Sequence, residues 1–79
     1  MNEEELIYNE TNECFRLAQL VEPGNVVVLQ VSEDSCSVSL QNGQDSMTGR
    51  AINLTHTVSA PTRLGAWQAM RLQLESMLS

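Results

Sequence analysis

Apolar residues change their spacing twice along this chain, and that change restricts the fold to one that mixes helices with a sheet. From Glu3 to Val21, the residues Ile7, Cys14, Phe15, Ala18 and Val21 recur at helical spacing with Thr11 on the same stripe, while Asn9, Asn12, Glu13, Arg16 and Gln19 fall opposite. That segment predicts an amphipathic helix. Asn2 followed three places later by Glu5 resembles a capping arrangement, Glu3, Glu4 and Glu5 stand where a helix dipole favours negative charge, and Pro23-Gly24 ends the segment.

The spacing then shortens. Asn25 to Val31 is a β-branched run too short for a surface helix, and it reads as a central strand. Ser32-Glu33-Asp34-Ser35 supplies turn chemistry. Beyond it Cys36, Val38 and Leu40 alternate with Ser35, Ser37, Ser39 and Gln41, the period of a strand with one wet face. Asn42-Gly43 opens a polar loop, and a third strand is expected over Arg50 to Thr57, with Ile52, Leu54 and His56 on one side. Ser59 is a candidate cap for a second helix, with Pro61 in its first turn. From about Pro61 to Leu78, Leu64, Ala66, Trp67, Met70, Leu74, Met77 and Leu78 gather on one stripe, while Gly65, Gln68, Gln73, Glu75 and Ser76 face away. Trp67 is the expected anchor of the core, and Leu72 breaks the pattern on the polar side.

The predicted architecture is a single α+β domain over residues 1–79, in the order α-β-β-β-α, with an antiparallel three-stranded meander and both helices on one face. That order is similar to the order in double-stranded-RNA-binding domains, where lysines at the start of the second helix grip phosphates. Here the corresponding stretch, Thr62-Arg63-Leu64-Gly65-Ala66, offers one cation, and the first helix is rich in glutamate. RNA binding by that mode is not expected.

Charge narrows the function further. Ten Asp and Glu stand against four Arg and no Lys, giving a net charge of −6, so a nucleic acid or an anionic bilayer is repelled unless the four arginines are concentrated on one face. The partner expected on this ground is a protein with a basic surface. The longest apolar run, Val26 to Leu29, is too short to span a bilayer, and the acidic start lacks the features of a secretory signal, which predicts a cytoplasmic chain with Cys14 and Cys36 as reduced core thiols.

Catalytic and metal chemistry find little material. His56 is the only histidine, and Cys14, Cys36 and His56 come from separate elements with no C-x-x-C spacing, so neither a metal nor a cofactor is expected. A Cys36–His56 nucleophile pair on adjacent strands is conceivable, yet Cys36 alternates with Val38 and Leu40 as a core residue does, and no enzyme activity is expected. The isolated glycines form no phosphate cradle.

What remains is a binding surface. Glu5, Glu10 and Glu13, continuing to Glu22 and the Glu33-Asp34 turn, are the candidates for a negative face that competes for a groove built to hold nucleic acid, a device of small inhibitors and regulators of phage or mobile-element type. The alternative is an assembly module that homodimerises through a sheet edge or through Leu72 on the outer face of the last helix.

Overall fold

A computed structural model describes residues 2–42 and 53–79, with the side chains of Asn42, Asn53, Leu54 and Thr55 left out. The elements are α1 (Glu3–Val21), β1 (Asn25–Val31), β2 (Cys36–Asn42), β3 (Asn53–Ala60) and α2 (Arg63–Leu78), so the expected α-β-β-β-α order is what the chain adopts. The predicted polar loop after Asn42 and the expected strand positions Arg50, Ala51 and Ile52 lie outside the described residues.

The strands form one antiparallel sheet in the order β1-β2-β3, pairing Val31 with Cys36, Val27 with Leu40 and Val38 with Val58. The central strand is therefore β2, and the reading of Asn25–Val31 as central is corrected. A meander places its middle segment in the middle, and β1 shows this in the loss of cover along its length, from buried Val27 to exposed Val31. The register between β2 and β3 shifts between Leu40 and Gln41, where Leu40 pairs His56 and Gln41 pairs Leu54.

Both helices pack on the side of the sheet that carries Val27, Cys36, Val38 and Leu40, with α1 chiefly over β1 and α2 over β2 and β3. Cys14, Leu17 and Ala18 of α1 meet Ala66, Trp67, Met70 and Leu74 of α2 in that core. An indole buries about 200 Å², on the order of 5 kcal/mol of hydrophobic driving force before its ordering is charged against it. Trp67 supplies it here.

Several expected positions move. Leu17 takes the buried place on α1 that was assigned to Phe15, because α2 docks on the Cys14–Leu17 side; Phe15 remains 42% exposed and touches the Trp67 ring from the flank, centroids 6.5 Å apart. Ser39 is buried although its face was expected to be wet, since β1 and β3 flank it and Thr57 hydrogen-bonds it at 3.3 Å. Thr62, not Ser59, caps α2, its Oγ1 accepting from Gly65 N at 3.0 Å, so Pro61 precedes the helix instead of entering it. Gly65 does not face away. A Cβ there would lie 3.1 Å from the Ala60 Cβ, so this glycine allows the helix start to sit against the end of β3. Leu78 is exposed at the end of α2 and does not join the buried stripe.

Candidate functional site

The topology decides which charged residues share an end of the molecule. A cavity of about 110 Å³ is lined by Val21, Glu22, Asn25, Leu40, His56 and Met77, which sets the last turns of both helices at one end. Both helices therefore begin at the other end. β1 runs back along α1, and its roughly 23 Å nearly matches the roughly 28 Å of the helix, so the β1–β2 turn arrives level with the start of α1.

Local chemistry fixes both pieces of that end. The Oδ1 of Asn2 accepts from Glu5 N at 2.8 Å, which caps α1 and fans Glu3, Glu4 and Glu5 around its first turn. Ser32 N donates to Ser35 O at 2.8 Å and the Ser32 hydroxyl donates to the same oxygen at 3.1 Å, leaving Glu33 and Asp34 at the tip of a tight hairpin. All five carboxylate residues are exposed, and among the described residues Arg63 is the arginine that shares the end with them.

Of the residues singled out from the sequence, the fold brings Glu5, Glu33 and Asp34 to this end, and it adds Glu3 and Glu4, which were explained there by the helix start alone. Glu22 is at the opposite end, beside the cavity. Glu10 is turned inward: Arg71 Nε donates to its Oε2 at 2.5 Å, and the same guanidinium donates to Glu75 at 3.2 Å. That hydrogen bond to Glu10 raises the Arg71 pKa above its ordinary value. Glu13 is bridged by Arg16, and the hydrogen bond from Arg16 holds its carboxyl below the usual range. Leu72 is exposed on the outer side of α2, away from the core residues Trp67, Met70 and Leu74.

The thiols sit in the interior. Cys14 donates from Sγ to the Trp67 carbonyl at 3.3 Å, and burial, reinforced by the charge of Glu10, pushes its pKa up to about 12. Cys36 is buried and free. Cys36 pairs with Ala60 while His56 pairs with Leu40, which separates thiol and imidazole by four residues, about 13 Å along the strands. The fold does not bring that pair together. Among the described residues no group of three or more His, Cys, Asp or Glu gathers in a way that could hold a metal ion. No helix among them is long and apolar enough to cross a membrane.

A feature that the periodicity of α1 did not single out lies beside this end. Tyr8, Asn12, Phe15 and Gln19 form one stripe on α1, and Gln19 marks its direction by hydrogen-bonding Gly24 N at 3.2 Å and the Asn25 carbonyl. The stripe thus runs along the β1 side of the helix. Tyr8 is 67% exposed, so two of the three aromatic residues of the chain stand on this strip. Aromatic scarcity in the composition was the available signal.

No family model, curated protein or solved structure matches this chain.

Proposed function

We propose that this protein is a non-enzymatic binding module whose acidic end engages a basic surface of a partner protein, acting as a nucleic-acid-mimicking inhibitor or regulator of the type found in phages and mobile elements. The observation that carries the reading is the gathering of Glu3, Glu4, Glu5, Glu33 and Asp34 at one end where, among the described residues, Arg63 is the one arginine. A groove evolved to hold phosphates, spaced at about one charge per 1.7 Å of duplex axis, recognises a dense run of anions regardless of what bears them. Carboxylates already engaged by arginines contribute little to such a field, which removes Glu10 and Glu13 from the contact set.

The test is affinity capture from an extract of the source cells with the native chain and with a variant carrying Gln at positions 3, 4, 5 and 33 and Asn at 34. A protein held by the native chain, released by about 0.5 M salt and not held by the variant supports the reading. Equal capture by the two forms overturns it.

A further inference from the structure

We propose that the outer edge of β1, flanked by Tyr8, takes up an extended, arginine- or lysine-bearing segment of the partner protein as a fourth strand. This deepens the acidic-end reading and rests on it for the charge of the partner.

The edge is open over its second half. Ser32 N–H donates to Ser35 O across the hairpin, so the ladder bonds to β2 fall on the even positions of β1. Asn25 agrees, since its N–H turns away from β2 to Glu22 O at 3.2 Å and its carbonyl accepts from Gln19. The N–H and C=O groups of Leu29 and Val31 accordingly point outward. Exposure climbs from 6% at Val27 under α1 to 66% at Val31. Nothing in β1 defends this edge: the strand carries no charge, no proline and no register shift against β2, whereas β3 has the register shift and ends at Pro61.

Tyr8 sits at the right height. Tyr8 lies about 16 Å up α1 from Gln19, and about 16 Å along β1 from Asn25 is Gln30, so Tyr8 stands level with the open half of the edge. A strand added there hydrogen-bonds Leu29 and Val31, sets an apolar side chain beneath Tyr8, and runs past Glu4, Glu5, Glu33 and Asp34. Positive side chains on its other positions meet those carboxylates. A second copy of the chain fits worse. It brings another net charge of −6, which opposes the acidic ends that such a pairing draws together.

Peptides selected from a random displayed library against the native chain at low salt provide the probe. The expected winners alternate Lys or Arg with apolar residues. The tightest of them should slow amide exchange at Leu29 and Val31 by about tenfold or more, with little change at Val28 and Gln30, which β2 already protects. Tyr8→Ala, at an exposed site that does not threaten the fold, and Val31→Pro, which removes only an outward N–H, should each weaken that peptide about tenfold. No enrichment, binding without protection of Leu29 and Val31, or protection of those amides by self-association at high concentration overturns the inference. If both variants bind as the native chain does while neutralising the five carboxylates abolishes binding, the edge inference fails and the acidic-end reading stands. If the carboxylates are also dispensable, both fail.

Discussion

Arg71 Nε stands 2.5 Å from Glu10 Oε2 across the two helices, joining residues 61 positions apart in the chain. The pair is half-sheltered, with the Glu10 side chain 17% exposed, so it differs from the exposed Arg16–Glu13 bridge within α1. Arg71→Ala should lower stability by about 1 kcal/mol, and a double-mutant cycle with Glu10→Gln should return a coupling of about 0.5–1 kcal/mol by urea unfolding. Arg16→Ala should leave the midpoint unchanged. Glu10→Gln should also leave partner binding intact, in contrast to neutralisation of Glu3, Glu4 and Glu5.

Trp67 is the single side chain on which the greatest buried area depends. Trp67→Ala should cost about 3–5 kcal/mol, enough to unfold a domain of this size, whereas Phe15→Ala on the exposed flank should cost less than half as much. Chemical denaturation followed by far-ultraviolet circular dichroism reads both.

Cys14 makes stability fall on the alkaline side. The folded chain holds the thiol protonated up to about 12, against 9.0 for a free thiol, so between those values the unfolded chain has released a proton that the folded chain still binds. This contribution is intact below about pH 9 and declines as pH rises toward 12. Subtracting the urea-unfolding curve of Cys14→Ala from that of the native chain at each pH should isolate the slope. Iodoacetamide at neutral pH should leave Cys14 unmodified until the protein unfolds.

Gly65→Ala should destabilise, although alanine is the better helix former by about 1 kcal/mol. The added methyl meets the Ala60 Cβ and the Thr62 Oγ1, both at 3.1 Å, and Thr62 is the cap of α2. Crowding at two anchored atoms should outweigh propensity and leave a net loss of up to about 1 kcal/mol in thermal or urea unfolding.

Periodicity carried most of the fold. The Cys36-Val38-Leu40 alternation and the Trp67-Met70-Leu74 stripe read directly as buried faces, because each lies on an element with one covered side. It failed where neighbours decide. Phe15 and Leu17 are both near the apolar side of α1, and only the position of α2 chooses between them. Val26-Val27-Val28 looks central by composition, yet chain order gives the centre to β2. The acid count announced a charged surface, but two of the candidate carboxylates were claimed by arginines, one of them from the far end of the sequence. The open half of the β1 edge left no mark in the residue pattern, since hydrogen-bond direction alternates without regard to side-chain type.

The contact between the first and last elements governs when this molecule can become itself. During synthesis α1 and β1 emerge well before α2, the helix that completes their core, so the nascent chain carries Cys14, Leu17 and Ala18 without that cover until α2 docks. Closure across that separation is entropically slow and all-or-none in effect. Removing the final helical turns should thus yield no shortened domain, only a chain that aggregates or is degraded.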